Sequence, residues 1–177
     1  MAKKKNLAPL PPELEEVIFG GLLGDFNLQS FTNGKSWRLR LMASNKHLDY
    51  MTHLQELFHI GAPMKQIIEF HKVQQETYKK WYINSLVFDE LIKLASYYYV
   101  LIPREGYKYP IHRKIVPSKE VLMQKLTPRA IAYWLVDDGS FSRGTVRFYT
   151  NGFSLEEVNL LREVLLSKYG IKTTVQF

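Results

Sequence analysis

The sequence predicts an α+β protein built from two similar halves. Three observations carry that expectation. Each half opens on an apolar helix rich in small residues that runs into an aspartate, Asp25 in the first and Asp138 in the second, 113 positions apart in the chain. After each aspartate the same order of patterns follows: hairpin, helix, strand. The strands alternate, as in Arg38-Leu39-Arg40-Leu41, where one face is cationic and the other aliphatic, the mark of a sheet with one wet side. A repeat on this scale means two related subdomains rather than a solenoid.

The elements follow in order. Pro11 and Pro12 precede Glu13-Leu14-Glu15-Glu16, and prolines with acids suit a helix start, where free N–H groups and the helix dipole favour them. That helix turns apolar through Val17 to Gly24 and meets Asp25. A strand is expected around Phe26 to Ser30, a turn at Thr32-Asn33-Gly34-Lys35, and a strand around Trp37 to Ala43, with Asn33-Gly34 as the hairpin signal. Ser44-Asn45 is expected to cap a helix carrying Leu48, Met51, Leu54, Leu57 and Phe58 at helical spacing. Strands are expected near Gln66 to Lys72 and Tyr78 to Ser85, then a helix from Phe88 to Tyr99. Pro103 to Lys119, with Arg104, Lys108, His112, Arg113, Lys114 and Lys119, reads as a connector.

The second half restarts at Thr127-Pro128, an N-cap followed by proline at the first helical position. Its helix runs from Arg129 through Val136 into Asp137-Asp138-Gly139. A hairpin turning at Ser142-Arg143-Gly144 follows, with its second strand over Thr145 to Thr150. Ser154-Leu155-Glu156-Glu157 is a capping box for a helix to Tyr169, Gly170 stops it, and Ile171 to Phe177 reads as a strand.

Composition narrows the function classes. In 177 residues, 46% are hydrophobic and 14% aromatic, enough for a packed core. The formal charge is +7 and points to a polyanionic partner. Cysteine is absent, which excludes thiol catalysis, disulfides and cysteine-based zinc sites. No apolar run approaches the roughly 20 residues of a membrane span. Met1 to Pro12 is read as a short basic and proline-rich flexible lead-in containing Lys3-Lys4-Lys5, with no targeting signal. His47, His53, His59, His71 and His112 form no compact ligand spacing and receive no role. Tyr97-Tyr98-Tyr99 is expected to cover the core beside its helix.

The chemistry concentrates at the two helix ends. A helix C-terminus carries partial negative charge, so an aspartate there calls for a compensating cation. Small residues let a second helix approach closely. Two such helices side by side would bring Asp25 and Asp138 together, and paired carboxylates suit a hard divalent ion such as Mg²⁺, which beside a phosphodiester activates water and stabilises the leaving oxygen.

Phe19-Gly20-Gly21-Leu22-Leu23-Gly24-Asp25 resembles the first motif helix of the single-chain LAGLIDADG homing endonucleases. The stretch from Leu126 through Thr127-Pro128 and Trp134-Leu135-Val136-Asp137-Asp138-Gly139 resembles the second. The resemblance runs in order from about residue 13 to 177, through Ser44-Asn45-Lys46-His47 and Phe153-Ser154-Leu155-Glu156-Glu157. It implies two pseudo-symmetric αββαββα repeats whose antiparallel sheets form a saddle on DNA. On this pattern residues 1–12 are the lead-in, 13–119 the first repeat with its connector, and 120–177 a second repeat that stops after its third strand.

The resemblance further implies site-specific cleavage of double-stranded DNA with Mg²⁺ or Mn²⁺. It places catalysis and metal binding on Asp25 and Asp138, with Gly24 and Asp137 as adjoining metal positions and Lys114, in Lys114-Ile115-Val116-Pro117, as the basic helper. Arg38, Arg40, Lys80, Tyr82, Arg143, Arg147 and Tyr149 are the expected nucleic-acid contacts, because alternate side chains on a strand reach base edges or phosphates together. Phe26 stands where many members carry glycine. The family also implies an intron-derived protein of an organelle, chloroplast or mitochondrion. The alternative is a non-catalytic derivative that binds structured RNA, as an intron maturase or an organellar ribosome subunit. A metal-free transcription regulator is a third reading, and a second polypeptide could complete the second repeat.

Overall fold

A computed structural model describes residues 9–32, 34–58, 63–71, 75–103, 105–106 and 111–176. Expectations that fall on Lys3-Lys4-Lys5, Asn33, His59, Lys72, Arg104, Lys108 and Phe177 lie outside these residues. The elements in chain order are α1 (Pro12–Gly21), β1 (Asn27–Gln29), β2 (Arg38–Ser44), a short 3₁₀ turn (Asn45–His47), α2 (Leu48–Leu57), β3 (Lys65–His71), β4 (Glu76–Val87), α3 (Asp89–Tyr98), β5 (Tyr99–Ile102), β6 (Ile111–Lys114), α4 (Lys119–Lys125), α5 (Pro128–Asp138), β7 (Gly139–Ser142), β8 (Thr145–Phe148) and α6 (Leu155–Tyr169). This is the α+β class, and among the described residues all strand pairs are antiparallel. Among the described residues no helix is long and apolar enough to cross a membrane.

The chain packs as two compact units. One holds Met1–Glu15 with Asp25–Ile92, the other Glu16–Gly24 with Lys93–Phe177.

The first unit is built on a four-stranded sheet in the order β1-β2-β4-β3. The alternation read in β2 becomes burial: Leu39 and Leu41 are 2% exposed, while Arg38 and Arg40 on the other face are part-exposed. Leu28 and Ile83 join them on the inner face, where α2 contributes Met51 and Leu54. Burying aliphatic side chains of this size is the main stabilising term, about 1.5–3 kcal/mol each. The β2–β4 register shifts between Arg38 and Arg40, and the Ser85 hydroxyl accepts from the Leu39 amide at 2.9 Å across the irregularity. Ser44 does not cap α2 as expected. It makes no side-chain cap bond, a 3₁₀ turn intervenes, and Asn45 instead accepts from the Trp81 indole at 2.9 Å.

In the second unit the N-terminal signals act as read. The Thr127 hydroxyl caps α5 by accepting from the Ala130 amide at 3.2 Å, and the Ser154–Glu157 capping box is complete. Gly170, at φ +68°, ends α6 in a left-handed conformation that an L side chain rarely adopts. The β7–β8 hairpin turns through Arg143 and Gly144, both at positive φ. Leu94, Ala95, Tyr98, Leu122, Trp134 and Leu161 are buried, and Phe148 lies on Trp134 with ring centroids 4.1 Å apart.

Two further expectations are corrected. The segment 103–119 is more than a connector: Ile111–Lys114 pairs with Tyr99–Ile102, and the chain enters α4 at Lys119 under an Ser118 cap. Residues 171–176 form no strand. Among the described residues none pairs with them, and Arg162 instead donates to the Thr173 carbonyl at 3.0 Å.

The last turns of α1 tighten. Leu23 donates to Gly20 and Gly24 to Gly21, both three residues back. The Phe19 carbonyl accepts from the buried Tyr98 hydroxyl at 2.6 Å, which supplies an acceptor near the helix end with a partner. At Gly20 an added Cβ would overlap the Ala130 carbonyl, so α1 backbone meets α5 backbone there.

Gly20→Ala is therefore expected to destabilise the fold by about 1–3 kcal/mol, read as a lower urea midpoint. An unchanged midpoint contradicts the contact. Burial also pushes the Tyr98 phenol well above its ordinary range. A folded value above the unfolded one gives a contribution that is intact below the ordinary tyrosine range and lost as pH climbs toward the folded value. Stability should fall at alkaline pH above that range, and fall less in Tyr98→Phe, which at neutral pH loses about 1–3 kcal/mol through the unpaired carbonyl.

Candidate functional site

Neither α1 nor α5 has a basic residue in its last turn, so no side chain there offsets the partial negative charge of either helix end. In α5 this is compounded by two successive carboxylates, Asp137 and Asp138. Both are part-buried. The Asp138 carbonyl accepts from the Tyr149 amide at 2.9 Å, and Gly139 follows at a point where a Cβ would meet Leu135 and the Arg147 carbonyl. The acidic pair is thereby pinned where helix becomes strand.

Gly24 packs on this pair. A Cβ added to it would stand 2.5 Å from Asp137 Oδ2 and 3.0 Å from Asp138 Cβ. Its carbonyl accepts from Lys114 Nζ at 2.6 Å. Lys114 is placed by β6, where it pairs with Tyr99, and by the Ile115 amide, which donates to the Tyr98 carbonyl at 2.7 Å. Four of the residues singled out from sequence, Gly24, Lys114, Asp137 and Asp138, thus gather at one place in the second unit. Asp25 follows Gly24 in the chain and is the first residue of the segment Asp25–Ile92 in the other unit.

The donor set suits a hard cation. It offers a backbone carbonyl and two carboxylates, and the carbonyl already holds a positive charge in the form of the Lys114 ammonium. Among the described residues no group of three or more His, Cys, Asp or Glu side chains is gathered. Mg²⁺ does not require one, because it is commonly bound through one or two carboxylates together with water and substrate phosphates.

The expected nucleic-acid contacts divide by unit. On the outer face of the four-stranded sheet, Arg40 pairs across β1 with Asn27 and Arg38 with Gln29. The Arg38 guanidinium donates to Gln29 Oε1 at 3.1 Å, and that of Arg40 lies 5.4 Å from the Tyr82 ring centroid. Lys80 is on the same face, but Glu69 meets its ammonium at 2.6 Å. In the second unit Arg143 sits exposed at the β7–β8 turn, Arg147 is exposed on β8 opposite Ser140, and the Tyr149 hydroxyl is 3.2 Å from that of Ser140. Sequence reasoning placed Tyr98 in the core, where it is buried, but missed Gln29 and the bond from the Tyr98 hydroxyl to the Phe19 carbonyl. The alternation of Asn27 and Gln29 opposite the arginines could have found the first. Nothing in a run of three tyrosines marks the second.

Comparison with known proteins follows the same outline. Residues 15–177 match the model of the LAGLIDADG DNA endonuclease family. The chain is 29% identical over 175 residues to the DNA endonuclease I-ChuI of Chlamydomonas applanata, covering 94% of this chain and 77% of that one. It is 27% identical to the cytochrome b mRNA maturase bI2 of Saccharomyces cerevisiae, covering 96% of this chain but only 40% of the maturase. Its fold is similar to that of the homing endonuclease I-WcaI solved on its DNA recognition sequence, with a TM-score of 0.80 and 22% identity over the whole of this chain and 80% of the other.

If the Gly24 carbonyl belongs to a cation site, removing the lysine should reveal it. Lys114→Met is expected to lower stability by about 1 kcal/mol, and Mg²⁺ should raise its urea midpoint more than it raises the wild type's. Equal shifts in the two proteins argue against a cation at that carbonyl.

Proposed function

The chain belongs to the LAGLIDADG DNA endonuclease family, and we propose that it is a site-specific endonuclease that hydrolyses both strands of duplex DNA with a divalent cation, Mg²⁺ or Mn²⁺. The observation that carries this reading is the cluster of the Gly24 carbonyl, Asp137, Asp138 and Lys114 at the ends of two motif segments.

By the family resemblance, Asp25 and Asp138 are the motif aspartates whose carboxylates would hold the cation, with Asp137 and the Gly24 carbonyl as adjoining oxygens. A bound divalent ion lowers the pKa of its water and offsets charge on the phosphate under attack. Lys114 keeps the Gly24 carbonyl oriented and adds a positive charge beside phosphate oxygens that become more negative as the P–O bond breaks. The basic and aromatic groups on the exposed strands hold the duplex. Arg143 and Arg147 are exposed and suit phosphates, whereas Arg38 and Arg40, alternating on one sheet face, suit base edges. Because Glu69 offsets its charge, Lys80 is the weakest of these contacts.

A second reading is binding of structured intron RNA without cleavage. It is favoured by the maturase relative, which resembles 96% of this chain. Either reading fits an organellar setting, which the cytochrome b maturase supports.

The test is selection of cut sites from a randomised duplex library in Mg²⁺. The wild type is expected to cut a defined site, and Asp25→Asn and Asp138→Asn each to lose more than about 100-fold in rate, beyond what outer-shell changes usually cause. Binding without cutting, with structured RNA preferred over duplex DNA at matched salt, overturns the nuclease reading and favours the RNA one.

A further inference from the structure

A phenylalanine in a surface turn is ordinarily either tucked inward or mobile. Phe31 is 77% exposed, yet it sits in a heavily cross-linked turn. The Ser30 hydroxyl accepts from the amides of Thr32 at 3.3 Å and Gly34 at 2.8 Å. The Thr32 hydroxyl accepts from the Ser36 amide and is 2.8 Å from the Ser36 hydroxyl. The Trp37 indole closes the loop on the Gly34 carbonyl at 3.1 Å, and Gly34 takes φ +84°, open to glycine at little strain. These bonds brace the turn on either side of Phe31, whose ring stands in solvent.

The ring is not idle. The Arg38 guanidinium carbon lies 4.6 Å from its centroid, while Nη2 of the same arginine donates to Gln29 Oε1 at 3.1 Å. A guanidinium that lies over a ring and is hydrogen-bonded at one nitrogen has less rotamer freedom left to lose when a ligand arrives, which lowers the ordering cost of binding. It keeps the planar fork that a lysine lacks. Arg40, next on the same face, lies farther from its ring, that of Tyr82, and Lys80 is met by Glu69.

We infer that Arg38, held between Phe31 and Gln29, is a specificity-determining residue that reads one guanine through O6 and N7 in the major groove of duplex DNA, with Phe31 as its positioning residue. This rests on the endonuclease reading above. Guanine is the base edge whose two acceptors match an arginine fork, and in B-form DNA that edge is open in the major groove. The deep, narrow major groove of A-form RNA does not.

The experiment is equilibrium selection of randomised duplex DNA at fixed salt by the intact chain and by Arg38→Lys, Phe31→Leu and Phe31→Tyr. The wild type should prefer guanine at one position by about ten- to a hundredfold. Arg38→Lys should lose that preference alone, with the other positions and the salt dependence kept, because the charge is kept. Phe31→Leu should weaken the same preference severalfold, and Phe31→Tyr, which retains the ring, should hold it. If the wild type selects sites and Arg38→Lys leaves every positional preference in place, the inference is overturned while the endonuclease reading stands. If Phe31→Leu matches the wild type, the positioning role is overturned. If the wild type shows no base preference at all, both fall.

Discussion

At Gly20 the backbone of α1 meets the carbonyl of Ala130 on α5 with no room for a methyl group between them. Much else in the second unit follows from that approach. Helices that touch through backbone bring their ends into register, and four residues on, Gly24 packs against Asp137 and Asp138 with nearly as little space. A larger residue at either glycine would lever the segments apart and carry the Gly24 carbonyl away from the carboxylates. Protein interiors are too densely packed to absorb such a shift elsewhere.

The close approach creates an electrostatic problem that the surrounding elements answer. It sets carboxylates beside a helix end that is already negative, with no basic residue in the last turn of either helix. The answer comes from a different part of the chain. Tyr98 donates to the Phe19 carbonyl and, one residue on, β5 pairs with β6, which delivers Lys114 to the Gly24 carbonyl. The same short stretch thus completes the helix end and supplies the cation.

Legibility in the sequence varied with how local the determining physics was. The helix caps at Thr127 and Ser154, the stop at Gly170, the alternation of β2 and the turn at Arg143-Gly144 depend on neighbours a few residues away, and each was readable. The motif residues were readable as well, because small residues followed by an aspartate at a helix end is an unusual combination. The pairing of β6 with β5 was not: Ile111–Lys114 is a four-residue strand whose partner is not adjacent in the chain, and its charged residues resemble a linker. The strand expected over 171–177 failed for the complementary reason, since a β pattern needs a neighbour and residues 171–176 pair with none of the described residues. Ser44 had the chemistry of a cap, but Asn45 was drawn to Trp81 and the helix began later. The stacking of Arg38 on Phe31 depends on a turn whose hydrogen bonds no residue pattern announces.

The proposed cation site joins the carbonyl of Gly24 to the carboxylates of Asp137 and Asp138. Paramagnetic line broadening during a Mn²⁺ titration of the isotopically labelled protein addresses it without reference to cleavage. Broadening falls off steeply with distance from the ion, so the amide signals of Gly24, Asp137, Asp138 and Gly139 should vanish first and together, and return when Mg²⁺ is added in excess. Early loss confined to other acidic segments, such as those around Asp49 or Glu76, with these four signals intact, would contradict the account.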